Sequence, residues 1–281
     1  MMPERELSLG ISSCPNDTFA FCALVDGRVD TGGSKIRVVM EDVEALNLRA
    51  LKGELDITKL SFAAYAQFER EYALLSAGAA LGRGCGPLLV TRAKNHAELL
   101  SPTARPCIAI PGRLTTAALL FRLFAPHVDR FLVCPFDQIF DKVTSGEADG
   151  GVIIHEGRFT YAARGLRSVV DLGDWWEKET GLPIPLGAIA ARRSLGEAAI
   201  RRIESWVRQS VLLARANPGS TDEYVRRYAQ EMDEAVIRAH IGLYVNDFTV
   251  DLGVEGRRAV DALLKRARAI QPPKTTRQNP G

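Results

Sequence analysis

The feature that most constrains this chain is a repeated piece of punctuation. A helical stretch ends at Leu51-Lys52-Gly53-Glu54-Leu55-Asp56, and the strand-like run Ile57-Thr58-Lys59-Leu60-Ser61 follows. A second ends at Thr144-Ser145-Gly146-Glu147-Ala148-Asp149, and Gly151-Val152-Ile153-Ile154-His155 follows. Each reads as helix, Gly-Glu-x-Asp turn, buried strand, then a polar residue at the strand's carboxyl end. The entrances match as well. Leu7–Ser12 leads through Ser13-Cys14-Pro15-Asn16-Asp17-Thr18 into a helix, and Cys107–Ile110 leads through Pro111-Gly112-Arg113-Leu114-Thr115-Thr116 into another. Strand-length apolar runs alternating with helical patterns mean α/β architecture. The internal echo predicts two similar α/β lobes.

The pattern predicts strands near Leu7–Ser12, Lys35–Met40, Asp56–Leu60, Leu88–Thr91, Cys107–Ile110, Phe131–Cys134, Gly151–Ile154, Ser168–Asp171 and Leu186–Ala191. Helical patterns fall at Asp17–Leu24, Val43–Leu51, Phe62–Glu71, Thr115–Leu123, Asp137–Thr144 and Arg158–Ala163. Beyond Leu195 the segments Glu197–Ala216, Asp222–Gln230, Glu234–Val245 and Glu255–Ala269 are all helical. Gly82–Pro87 and Leu182–Gly187 read as crossings between lobes. They predict a discontinuous large lobe, 1–91 plus 191–270, with a small lobe, 92–190, inserted. The tail, 271–281, is rich in proline and poor in apolar residues, so it is expected to be disordered.

Among 281 residues, 36 Lys+Arg face 34 Asp+Glu, a net charge of +2. That balance gives no field suited to nucleic acid. No apolar run reaches the ~18–20 residues of a membrane span, and the first residues carry no signal-peptide pattern. A soluble, cytoplasmic protein is expected. The cysteines, Cys14, Cys22, Cys85, Cys107 and Cys134, are scattered without zinc spacing, so neither metal nor disulfide is expected. Gly82-Arg83-Gly84-Cys85-Gly86 lacks the helix a dinucleotide loop needs, since Pro87 and a strand follow. The Pro111–Thr116 loop lacks a Walker Lys-Ser/Thr.

Open α/β sheets bind ligands beyond the carboxyl ends of their strands. Two facing lobes would gather Ser13–Thr18, Lys59–Ser61, Pro111–Thr116 and His155 around one cleft. Asn16-Asp17-Thr18 would cap a helix, and the polar loop before it suits a carboxylate or phosphate. Of Thr115 and Thr116, one hydroxyl suffices as a cap and the other is left for a ligand. Lys59 is ambiguous between solvated lysine and ligand contact; alternation puts it on the same face as Ser61. A cap or packing role accounts for His96, His127 and His240. His155 alone follows an apolar strand directly, and imidazole titrates closest to neutral pH. Trp175-Trp176 reads as packing, although one indole could wall a cleft.

Ser13–Phe19, Glu41-Asp42-Val43-Glu44-Ala45-Leu46-Asn47, Thr58–Ser61, Ala80–Gly84, Ile110–Arg113 with Thr115-Thr116, and Ile153–Glu156 with Arg158–Tyr161 together resemble the 1,4-dihydroxy-6-naphthoate synthase family of the futalosine route to menaquinone. Leu172-Gly173 with Trp175-Trp176, and Thr180–Gly187, extend the likeness, which covers residues 7–265. Ser13 departs from the family's frequent proline. The resemblance implies a two-lobed fold like type II periplasmic solute-binding proteins. It also implies a carbon–carbon lyase that converts cyclic dehypoxanthine futalosine to 1,4-dihydroxy-6-naphthoate and dihydroxyacetone without a cofactor. His155 would be the proton acceptor. Lys59, Leu60, Ser61, Thr115 and Thr116 would bind the carboxylate substrate, with Asn16 and Asp17 at the cleft margin. Rival readings are a chorismate dehydratase of the same pathway and a non-catalytic solute-binding module.

Overall fold

Strand and helix alternate in the order β1 (Glu6–Ile11), α1 (Pro15–Val25), β2 (Lys35–Met40), α2 (Val43–Leu51), β3 (Ile57–Ser61), α3 (Phe62–Phe68), β4 (Tyr72–Leu74), β5 (Ala80–Gly82), β6 (Leu88–Thr91), β7 (Cys107–Ile110), α4 (Thr116–Phe124), β8 (Arg130–Val133), α5 (Ile139–Ser145), β9 (Gly150–Ile153), α6 (Gly157–Thr160), β10 (Arg167–Asp171), α7 (Leu172–Thr180) and β11 (Ile184–Arg192). Then come α8 (Glu197–Ala216), α9 (Asp222–Tyr228), α10 (Glu234–Tyr244), α11 (Asp247–Val250) and α12 (Gly253–Ala269). The computed structural model describes residues 6–93, 99–101, 103–230 and 233–270, so His96 and the 271–281 tail lie outside the described residues.

The strands form two sheets. The first runs β2-β1-β3-β11-β4, with β5 also paired to β11; the second runs β10-β6-β9-β7-β8. β1 pairs in parallel with β2 and β3, and β7 in parallel with β8 and β9. These parallel cores are the physical content of the sequence echo, since each strand–helix–strand unit must cross over before pairing. β11 is antiparallel to β3, β4 and β5. Tyr72–Leu74 and Ala80–Gly82 were not expected as strands. Each has only three residues, too few to show a period, and is fixed by its partner β11.

Sheet membership keeps the chain crossings near where the sequence put them but sets the lobe bounds earlier. β6, assigned from sequence to the large lobe, hydrogen-bonds to β9 and β10 in the second sheet, while β11 begins at Ile184 in the first. The chain therefore changes sheets between Gly82 and Leu88, and again between Thr180 and Ile184, earlier than 91/92 and 190/191. Gly86 and Gly173 meet beside the first crossing: a Cβ on Gly86 would lie 2.2 Å from the Gly173 nitrogen. Only glycine allows that approach.

Helix ends follow local chemistry. Asp42 caps α2 by accepting from Glu44 and Ala45 N–H, and Thr115 caps α4 by accepting from Ala118 N–H. The helix expected to reach Glu71 stops at Phe68, because Tyr72 is drawn into β4 and its hydroxyl donates to Leu55 O, 2.9 Å away. The helix expected over Arg158–Ala163 is one short turn, Gly157–Thr160, followed by a 3₁₀ turn at Ala162–Arg164.

One apolar core runs through both lobes, joining Leu60 and Phe62 to Leu89, Ile108, Leu120 and Trp176. A second, with Leu9, Ile11, Phe21, Ile189 and Val207, lies where α1 and α8 cover the first sheet. Trp176 is fully buried in the shared core, its indole N–H donating to Pro183 O at 3.0 Å. It does not line the cleft described next. No described helix is long and apolar enough to cross a membrane.

Candidate active site

Asn16, Lys59, Ser61, Thr115, Thr116 and His155 line one cavity between the sheets, which holds about 570 Å³ of non-protein space, open solvent included. Val43, Ile154, Leu186 and Tyr244 form part of its apolar wall. The carboxyl ends of β1, β3, β7 and β9, and the loops and helix starts that follow them, supply the polar residues, as the strand-end rule requires. Two expected residues sit elsewhere. Leu60 is fully buried in the shared core, because alternation along β3 turns it away from Lys59 and Ser61. Asp17 lies behind Lys59, outside the cavity lining.

Asp17 is not a helix cap. α1 begins at Pro15 with Cys14 at its N-cap position, so Asp17 falls inside the first turn. Its carboxylate accepts from Ser12 N (3.1 Å), Ser12 Oγ (2.6 Å) and Asn16 Nδ2 (2.8 Å), and pairs with Lys59 Nζ. Lys59 is buried and not a solvated lysine; its side chain is 5% exposed and that of Asp17 3%. Such a pair persists in a dry site only when further donors satisfy the carboxylate, as they do here.

The threonines are more fully engaged than their spacing implied. Thr115 donates to Gly112 O at 2.8 Å while capping α4. Thr116, the hydroxyl left over once Thr115 caps α4, donates to Leu186 O at 2.8 Å and accepts from Ala63 N–H at 3.3 Å. Both hydroxyls have spent their proton on backbone, so each can offer a ligand only lone-pair capacity. Ser61 stands at the start of α3 without capping it; its Oγ accepts from Asn47 Nδ2.

His155 carries the only positive φ among the described non-glycine residues, +56°. Left-handed backbone at a histidine is uncommon and must be held by its surroundings. Nδ1 lies 3.4 Å from Cys14 Sγ, across the cleft, and the ring meets Phe136 edge-on at 5.0 Å. Burial, then the Lys59 charge, pushes its pKa down to about 4, with Asp17 opposing. The imidazole is therefore neutral at neutral pH. Burial, reinforced by Glu156 and Asp17, pushes the Cys14 thiol up to about 12, so it keeps its proton. Because the folded imidazole resists protonation, stability declines as pH falls from 6.5 through about 4.

His240, assigned from sequence to packing or capping, is fully buried and stacked on His155 at 6.2 Å and 23°. Its Nε2 lies 2.9 Å from Asn16 Oδ1, and its Nδ1 lies 3.9 Å from Glu156 Oε2. Burial first, then His155 and Lys59, holds it well below the usual imidazole range. The usable sequence signal was its i,i+4 spacing to Tyr244, which puts two polar aromatics on one helix face. Among the described residues no three His, Cys, Asp or Glu side chains converge as a metal site.

A ligand cleft between two α/β lobes, at the strands' carboxyl ends, defines the class of type II periplasmic-binding-protein-like folds. A ligand-binding component of an ABC-type import system from Staphylococcus aureus superposes with a TM-score of 0.70 at 11% identity, covering 96% of this chain and 94% of that one. A crystal structure of an Archaeoglobus fulgidus protein superposes at 0.85 with 36% identity, covering 94% and 97%. In sequence, residues 7–269 match a family described as menaquinone biosynthesis. The 1,4-dihydroxy-6-naphthoate synthase of Thermus thermophilus is 51% identical over 94% of both chains, and that of Streptomyces coelicolor 48% identical over 95% of both. This chain belongs to the 1,4-dihydroxy-6-naphthoate synthase family of menaquinone biosynthesis.

Proposed function

We propose that this enzyme converts cyclic dehypoxanthine futalosine to 1,4-dihydroxy-6-naphthoate, releasing dihydroxyacetone, with His155 as general base. The observation that carries the reading is the half-buried His155 imidazole at the end of β9, bordering the same cavity as Lys59, Ser61, Thr115 and Thr116, where burial and the Lys59 charge favour its neutral form. The tautomer with its proton on Nδ1, directed at Cys14 Sγ, leaves the Nε2 lone pair to take a substrate proton. Carbon–carbon cleavage then expels the sugar-derived fragment as the bicyclic remainder becomes aromatic, which supplies the driving force. The buried Lys59 ammonium and the Ser61 hydroxyl stand where substrate oxygens can be held. The apolar wall of Val43, Ile154 and Leu186 suits a fused ring. A positioned base contributes ~10²–10⁴-fold, and fixed geometry adds to it.

Incubating the purified protein with cyclic dehypoxanthine futalosine and following naphthoate and dihydroxyacetone by mass spectrometry tests the reading. Both products are expected in equal amounts. Turnover of chorismate in its place would shift the chain to a dehydratase, and ligand binding without turnover would make it a solute-binding module. The acid limb of kcat/KM is expected near pH 4, because the folded imidazole gains its proton only there. An acid limb between pH 6 and 7, the range of a solvated imidazole, would contradict a desolvated base.

A further inference from the structure

Glu44 and Asn47 lie one turn apart on α2, within the Glu41–Asn47 motif, and neither takes part in the chemistry above. We propose that they are positioning residues that fix the Ser61 hydroxyl on one wall of the cleft against the Thr115–Thr116 loop on the other, so that Ser61 presents its proton to the ligand. The inference deepens the assignment of this cleft as the substrate site and rests on it.

Asn47 is fully buried, and its contacts fix its orientation. Ser61 N–H donates to Oδ1 at 3.0 Å, so the other terminal atom is Nδ2, a donor. Nδ2 in turn donates to Ser61 Oγ at 3.1 Å and to Glu44 Oε2 at 3.2 Å. Ser61 Oγ therefore accepts from behind, and its own proton has no partner among the described residues. Thr115 and Thr116 have committed their protons to Gly112 O and Leu186 O. Of the three hydroxyls, Ser61 is the one left with a proton for a ligand oxygen.

Glu44 completes the device. From α2, beside the first sheet, its carboxylate accepts the backbone N–H of Leu114, in the loop after β7 of the second sheet, at 3.1 and 3.3 Å. Gly112 makes room: a Cβ there would lie 2.3 Å from the Glu44 carboxyl carbon, and its φ is +151°. One helix face thus grips Ser61 on one side and the residue preceding Thr115 on the other. Without Glu44 the loop would sample positions in which Thr115 and Thr116 no longer face Ser61. Apparent affinity then falls by the fraction of molecules still competent, while the bound complex, re-ordered by its ligand, turns over much as before.

The test combines steady-state kinetics with amide hydrogen exchange on the intact protein. Glu44→Ala is expected to raise KM roughly tenfold, the scale of one hydrogen bond to a charged group, with kcat changed less than about threefold. Exchange of the Leu114 amide should accelerate, and Glu44→Gln, which keeps an acceptor oxygen, should restore most of both. Asn47→Asp, near-isosteric but acceptor-only, should draw the Ser61 proton back toward itself and raise KM at least as much. Unchanged KM and Leu114 exchange in Glu44→Ala would overturn the proposal, as would loss of thermal stability with KM intact. Failure of the wild-type protein to turn over the futalosine-derived substrate would instead reject the functional reading. Leu114 exchange would still report on the Glu44–Leu114 contact.

Discussion

Replacing His155 by alanine is expected to lower kcat by ~10²–10⁴-fold, the usual contribution of a positioned general base, with KM changed only a few-fold. The ring borders the cavity, but the groups suited to holding substrate oxygens, Lys59 and Ser61, belong to β3 and keep their own partners. His155→Gln is the sharper variant, because an amide can fill much of the ring's space beside Cys14 and Phe136 yet cannot take up a proton at neutral pH. It should be as inactive as alanine. Steady-state turnover, with product binding measured separately, distinguishes the cases: kcat within tenfold of wild type in either variant removes His155 as the base. Alanine keeps the left-handed backbone at φ +56° and gives up the ring's packing on Phe136 and His240, so a lower Tm than that of the parent is expected, less so for glutamine.

The strand-to-helix frame was legible because its signals are local. β2, β6 and β7 occupy the residues their apolar runs marked, since each run is bounded by turn chemistry. The positions of His155, Lys59, Ser61 and Thr116 at strand ends and the next helix start followed from the same reading. What escaped was set by partners distant in sequence. β4 and β5 are strands only because β11 lies beside them. One of the Thr115–Thr116 hydroxyls was read as available to a ligand because Leu186, seventy positions beyond Thr116, could not be seen to accept the Thr116 proton. His240 resembled any helical histidine until α10 set it against His155 from the far end of the chain. Leu60 entered the expected site only as the middle of a Lys-Leu-Ser triplet, although the two-residue period of a strand already turned it inward.

The second large effect is expected at Asp17, where stability and catalysis can be separated. Asp17→Ala leaves the Lys59 ammonium buried without its counter-charge and strips Ser12 N–H, Ser12 Oγ and Asn16 Nδ2 of their common acceptor. Breaking a buried pair from one side costs about 3–5 kcal/mol, which for a chain of this size lowers Tm by roughly 5–9 °C. Lys59→Met removes the counter-charge but leaves the carboxylate its three other donors, so it should be destabilising to a smaller extent. The double variant Asp17→Asn with Lys59→Met removes both charges while keeping the shape and one acceptor oxygen for Ser12 N–H and Oγ, at the cost of the Asn16 Nδ2 contact. Much of the lost stability should then return, because the desolvation cost of the pair disappears with its attraction. Turnover should not return: Lys59 lines the cleft, and its charge helps hold His155 neutral. Thermal denaturation by circular dichroism beside steady-state turnover decides the matter. A double variant that regains both would make the Lys59–Asp17 pair a matter of packing alone, whereas one that regains only Tm assigns the ammonium to catalysis, at the substrate or at His155.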